Sequence, residues 1–222
     1  MPLTTAEMNS NEHWYNSSST SFFIIPGGRD QPFVQDFSGR NLDNLKKYLT
    51  TGGIYIGICA GAYVASSFIR FEEGNSPYEV IGPRWNLVPC VAVGSLFPGT
   101  FHYNYPMVGD EISAERSEQQ VKVPTAIRLD HEMPSLYCTD TVSIWSDLGF
   151  LAHYNGGPHF QDIRFPCHIH AWYDMAGEML PAVVSSTYGQ GSVFLFGFHI
   201  ENRAPISDLN LRVAFCRSML LK

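Results

Sequence analysis

The sequence predicts an α/β fold organised on parallel strands. Three observations carry that reading. Ser21-Phe22-Phe23-Ile24-Ile25 is a short, wholly apolar run, the mark of a strand covered on both faces. Residues 41–51 follow a helical period, with Leu42, Leu45 and Leu49 on one stripe and Tyr48 beside it. Gly53-Ile54-Tyr55-Ile56-Gly57-Ile58 is a second buried strand, and it runs through Cys59 into a helix that opens on Ala60-Gly61-Ala62. Strand, helix, strand, helix in that order calls for crossovers and parallel pairing.

Ahead of the first strand, residues 1–20 lack periodicity and read as an irregular arm, with Trp14 and Tyr15 to anchor its end. The strand ends in Pro26-Gly27-Gly28-Arg29-Asp30. Two glycines at the carboxyl end of a buried strand let the chain turn and leave N–H groups bare, where open α/β sheets place their sites. Gly52-Gly53 closes the first helix. From Tyr78 to Asp130 the pattern changes to β-rich pieces between Pro and Gly: Val91-Ala92-Val93, Gln120-Val121-Lys122-Val123 and Ala126-Ile127-Arg128-Leu129. They predict an antiparallel or peripheral insertion beside the main sheet. Leu136-Tyr137-Cys138 and Phe150-Leu151-Ala152-His153-Tyr154 follow, the latter ending in the turn Asn155-Gly156-Gly157-Pro158. Cys167 to Tyr173 has strand character. Ala182–Ser186 and Ser192–Phe198 flank Tyr188-Gly189-Gln190-Gly191, a hairpin connection. Asp208 to Leu221 predicts a final helix with Leu209, Val213, Cys216 and Leu220 on one face. No repeat or linker divides the chain, so 1–222 reads as one domain.

Composition narrows the classes. The 222 residues are 45% hydrophobic and 16% charged, which suits a large core under a sparsely charged surface. A net charge of −7 without any Lys/Arg run argues against a nucleic-acid or anionic-membrane partner. No run approaches the roughly 18 apolar residues of a membrane span, and the polar N-terminus lacks the layout of a signal peptide. Cys59, Cys90, Cys138, Cys167 and Cys216 are odd in number and scattered, with no CxxC pair. A disulfide framework or zinc ribbon is therefore not expected, and a reducing cytoplasm is.

The candidate chemistry centres on Cys59. It lies in Gly57-x-Cys59-x-Gly61 at a strand-to-helix turn, the nucleophile-elbow pattern with sulfur in place of oxygen. Glycines on either side relieve crowding at a strained turn, and a helix N-terminus favours thiolate. A thiol nucleophile needs a base and a group to orient that base. His199 closes an apolar strand, and Glu201 lies two residues on, where extended chain points it the same way. The plain alternatives are a buried structural cysteine and an exposed strand-end loop. A metal site on His168 and His170, with His153 and His159, is a weaker idea, because acidic or cysteine partners at metal spacing are not evident.

Taken together the motifs resemble a known family. Ile25-Pro26-Gly27-Gly28-Arg29-Asp30, Gly57-Ile58-Cys59-Ala60-Gly61-Ala62-Tyr63, Tyr154-Asn155-Gly156-Gly157-Pro158 and Gly189-Gln190-Gly191 before His199-Ile200-Glu201 follow one another as in class I glutamine amidotransferase-like proteins. The chain is most similar to the branch named after the N-terminal domain of biotin–protein ligases, from about Phe22 to Glu201. The resemblance implies a flavodoxin-like, three-layer α/β/α fold with a mostly parallel central sheet and a peripheral β-rich insertion. It also implies a Cys59–His199–Glu201 triad. The amides of Gly27, Gly28 and Ala60 would form the oxyanion hole, with Arg29, Asp30, Tyr154 and Asn155 lining the substrate site. Two departures stand out. Ile200 occupies the place where the family usually has Pro. The chain before Phe22 is also short for the first strand, helix and second strand of the family, so N-terminal strands are expected to be missing. Residues 1–20, a second copy or a longer protein would then cover the gap.

Two functions compete. One is a cysteine hydrolase or amidotransferase-like enzyme that attacks an amide or ester carbonyl, with glutamine the family-typical substrate. No Gly-rich phosphate loop is present, so no cofactor is expected, amidotransfer would need a partner synthetase or ligase chain, and biotinylation by this chain itself is not expected. The other is a catalytically inactive binding or regulatory domain of the same fold. Assembly as a homo-oligomer is compatible with either.

Overall fold

A computed structural model describes residues 3–10, 13–99, 101, 154–175 and 178–201, with Val213, Cys216 and Arg217. The strands expected at 120–123, 126–129, 136–138 and 150–153 lie outside the described residues, as does most of the final helix.

The N-terminal arm is more ordered than its sequence predicts. Thr4 and Glu7 cap each other's main chain (Glu7 Oε2 at 2.8 Å, Thr4 Oγ1 at 3.2 Å) and start helix α1, Thr5–Ser10. Trp14 is buried, donates from Nε1 to the Met8 carbonyl at 3.0 Å, and packs on Phe23 and Phe37. Those aromatic contacts moor the arm to the first strand.

Among the described residues nine strands form two sheets. The first runs in the order β1 (Phe23–Ile25), β2 (Ile54–Ile58), β9 (Gly191–Phe196), β8 (Glu178–Tyr188), β7 (His168–Met175). The β1–β2 and β2–β9 pairings are parallel, whereas β9–β8 and β8–β7 are antiparallel. The second is β4 (Val80–Pro83), β3 (Ser66–Phe71), β5 (Val88–Gly94), β6 (His159–Gln161). There only β3–β5 is parallel. The protein is thus mixed α/β, and the expectation of a mostly parallel sheet is corrected. The reason is local. Gly189-Gln190 make a tight hairpin, with Gly189 at φ +62°, so β8 must return antiparallel to β9.

Among the described residues, α1 precedes β1, α2 (Asp30–Asp36) and α3 (Arg40–Thr50) connect β1 to β2, and α4 (Ala60–Ala65) connects β2 to β3. α3 matches the leucine period and buries Leu45, Tyr48 and Leu49 completely, each worth about 1.5–3 kcal/mol of apolar burial. α4 is only six residues long, and Ser66 turns out of it in extended conformation straight into β3. The second sheet therefore begins at the elbow itself, earlier than the insertion read from Tyr78 onward. Apolar side chains fill both faces of the first sheet. Phe23, Ile25, Tyr55, Val193 and Leu195 join the α3 core, while Ile56, Ile58, Phe194, Phe196 and Phe198 form a second cluster that includes Cys59.

Candidate active site

Cys59 follows the last residue of β2 and caps α4. Its backbone has φ 50° and ψ −102°, a left-handed conformation that costs a non-glycine residue about 1–3 kcal/mol. The surroundings hold it there. The Cys59 N–H donates to the Phe196 carbonyl at 2.9 Å, and its own carbonyl accepts from Ala62 and Tyr63 at 3.0 Å each. The glycines of the pentapeptide are required by close approach. A β-carbon on Gly57 would stand 2.5 Å from the Gly61 carbonyl oxygen, and one on Gly61 would overlap the Ile25 carbonyl. Tyr55 Oη donates to the Gly61 carbonyl at 2.8 Å and ties strand to helix. All six residues of α4 are buried.

His199 lies just beyond β9, on the carboxyl side of the same parallel strands. Its Nδ1 meets Glu201 Oε1 at 2.7 Å, which leaves Nε2 for the Cys59 thiol, and the ring hydrogen-bonds both residues. The two partners differ in exposure: the His199 side chain is 12% accessible and that of Glu201 39%. Burial pulls the imidazole toward neutrality. Hydrogen bonds and charge from Cys59 and Glu201 outweigh it and push the pKa up to about 10. Gly27 lies flat against this ring, since a β-carbon there would overlap His199 Cε1.

The remaining residues expected at the site fall into four groups. Gly28, exposed with φ +143°, follows Gly27 in the chain, and Ala60, the first residue of α4, follows Cys59. Asn155 approaches the sulfur directly, its carbonyl oxygen 3.6 Å from Sγ. Tyr154 and Asp30 are engaged elsewhere. Tyr154 Oη accepts from the Leu96 N–H at 2.6 Å and donates to the Gly157 carbonyl at 2.8 Å. Asp30 Oδ2 binds Arg84 through Nη2 at 2.6 Å and Nε at 3.2 Å, a pair with both side chains about nine-tenths buried. Arg29 is exposed and precedes α2 without capping it through its side chain.

Sequence reasoning missed Arg84, Tyr63 and Glu72. Tyr63 donates to the Gly156 carbonyl at 3.0 Å and so ties α4 to the loop that carries Asn155. Arg84 and Glu72 stand in turns whose sequences look like solvent-facing connections, and no local signal marks them. As for the histidines, His170 bonds Ser185 Oγ at 2.7 Å and His159 bonds the Gln161 amide at 2.9 Å. Among the described residues no three ligand-type side chains converge. Nor is any described helix long and apolar enough to cross a membrane.

Comparison with known proteins decides the family. A family model described as biotin–protein ligase, N terminal, matches residues 2–214. The chain belongs to that family. Among curated proteins, it is 26% identical to a biotin–protein ligase of Schizosaccharomyces pombe over 215 residues. That match covers 94% of this chain but 30% of the ligase. An uncharacterized protein of Chlamydia muridarum is 26% identical over 185 residues, covering 82% of this chain and 61% of that one. The chain thus spans less than two thirds of either relative. Among solved structures, a cytoplasmic protein of Salmonella typhimurium aligns at 15% identity with a TM-score of 0.44, over 96% of this chain and 74% of that one.

Proposed function

We propose that this member of the biotin–protein ligase N-terminal family is a class I glutamine amidotransferase-like cysteine hydrolase, acting on an amide or ester carbonyl. The observation that carries the reading is the His199–Glu201 contact of 2.7 Å beside a cysteine held at φ 50°. The three parallel strands β1, β2 and β9, which end around these residues, support a flavodoxin-like core under the antiparallel additions. The free state of Cys59, Cys90, Cys167 and Cys216 supports a cytoplasmic setting.

In this reading Cys59 Sγ attacks the carbonyl carbon as a thiolate paired with protonated His199. The amides of Gly27, Gly28 and Ala60 face the developing oxyanion. The imidazolium then gives its proton to the leaving amine or alcohol, and a thioester remains on Cys59. Water cleaves the thioester with His199 as base, and for amidotransfer a partner synthetase or ligase chain would receive the released ammonia. Glu201 holds the ring in the tautomer that presents Nε2 to sulfur.

A second reading, a binding or regulatory domain without catalysis, is favoured by one specific observation. Cys59 is only 6% accessible, and the Asn155 carbonyl stands against its sulfur. The rate of iodoacetamide modification of Cys59 against pH, in the native protein and in His199→Ala, separates the two. Hydrolase chemistry predicts fast modification at or below neutral pH that slows at least about tenfold in the variant. A rate no greater than that of Cys90 and indifferent to His199 would leave the binding reading standing.

A further inference from the structure

We propose that Glu72 is a positioning residue for the Cys59 site, acting through the loop that holds the Asn155 carbonyl against the sulfur. The inference rests on the reading of Cys59 as the nucleophile.

Glu72 is fully buried and follows the last residue of β3 with φ 49°, a backbone conformation unfavourable to any side chain with a β-carbon. Its N–H donates to the Gly94 carbonyl at 2.7 Å. Its carboxylate accepts from the Ser95 hydroxyl, from the Ser95 N–H at 3.2 Å and from the Gly99 N–H at 2.6 Å. One buried carboxylate thus gathers the whole turn after β5. That turn presents the Leu96 N–H to Tyr154 Oη at 2.6 Å, and the Ser95 side chain reaches the same phenol. Tyr154 in turn bonds the Gly157 carbonyl at 2.8 Å. Between these two fixed points lies Asn155, whose carbonyl oxygen is 3.6 Å from Sγ.

The contact has a defined chemical sense. A carbonyl oxygen can accept from S–H but repels S⁻, so it favours the thiol. His199 favours the thiolate. The two compete for one sulfur, and the placement of residues 154–157 decides how strongly the carbonyl competes. Apolar side chains could fill the volume of Glu72 at lower desolvation cost. What the carboxylate adds is direction, because three donors must meet two oxygens.

Iodoacetamide modification of Cys59 across pH, with Cys90 followed in the same sample, tests the assignment. The other titratable groups coupled to Cys59 among the described residues are His199, Tyr63, Tyr154 and Tyr173, and all but Tyr154 stay unchanged in the variants. Glu72→Gln places an amide N–H against at least one of the three donors, and Tyr154→Phe cuts the link at the phenol. Each is expected to lower the pH midpoint of Cys59 modification and speed it at pH 7 by about three- to tenfold, equivalent to about half to one pH unit. The double variant is expected to do no more than either single one. Cys90 should stay slow. Midpoints equal to the native value, additive shifts, or acceleration of Cys90 alongside Cys59 would overturn the assignment and leave Glu72 a brace for the fold alone. Should Glu72→Gln not fold, Ser95→Ala replaces it in the cycle. A native Cys59 no more reactive than Cys90 at any pH would instead remove the nucleophile reading, and this inference with it.

Discussion

The two ends of the candidate site are held in place by different physics. Cys59 is fixed by main chain. β2 lies between β1 and β9, α4 presses so close that Gly61 meets the Ile25 carbonyl, and the cysteine N–H is bound to Phe196. His199 is fixed by side chains and by one flat glycine. It stands beyond β9, backed by Gly27, and is oriented by a carboxylate that remains 39% accessible. The position of the sulfur is therefore part of the fold, while the protonation of the imidazole is adjustable one residue at a time. A shift of the sulfur requires the sheet to move. A shift of the imidazole pKa requires only a changed partner.

The largest effect is expected where that contrast is sharpest. Gly61→Val should force α4 off β1, since the overlap is with backbone rather than with a flexible side chain. A cost of about 3 kcal/mol, or about 6–12 °C in thermal unfolding, is the expected scale for such overpacking. An unchanged melting temperature would mean that the elbow is softer than its contacts imply.

At the other end, Glu201→Gln should lower the His199 pKa from about 10 and, through the same linkage, lower the melting temperature at neutral pH, by less than Gly61→Val because the carboxylate is 39% accessible. NMR titration of the ring measures the pKa directly, and an unmoved titration would show that Glu201 does not charge the imidazole. The same shift gives a stability signature whose sign is fixed. His199 binds its proton more tightly folded than unfolded, with about 10 against 6.5. Its contribution is complete below about pH 6.5 and is lost as pH rises toward about 10. Denaturation midpoints should fall across that window in the native protein and fall less in His199→Gln. Equal slopes would assign the loss to other groups.

The smallest effect is expected from Arg84→Lys. It keeps the charge beside Asp30 but loses the geometry of two N–H groups on one oxygen. A loss of about 0.5–1.5 kcal/mol is expected, with a modest slowing of Cys59 modification as the Gly27 backing loosens. A loss as large as that of Gly61→Val would erase the distinction between the two ends.

What was legible in the sequence is what neighbouring residues decide. The apolar run at Phe23–Ile25, the leucines of α3, the glycines around Cys59 and the Gly189-Gln190 hairpin each announce themselves locally. The His199–Glu201 contact also followed from spacing, although the chain there is turning rather than extended. What was hidden depends on distant partners. β7 could not be oriented from its own residues, because nothing in it states which edge it joins. The end of α4 was not marked, because Ser66 and Ser67 suit either state, and only the pairing of Phe68–Phe71 with β5 draws the chain into a strand. α2 was not foreseen, although Pro32 stands in its first turn, a position that suits a helix start. Glu72 and Arg84 were invisible because burial gives a charged residue meaning, and burial is a property of the finished fold.

The left-handed backbone at Cys59 bears on the history of the molecule. In that conformation any side chain is a burden and hydrogen is the natural substituent. Cys59→Gly should consequently be more stable than Cys59→Ala, with the native protein below the glycine variant as well. Mutational drift in a chain that had stopped using its sulfur would run downhill toward glycine at this position. The size of the glycine gain measures how steep that slope is.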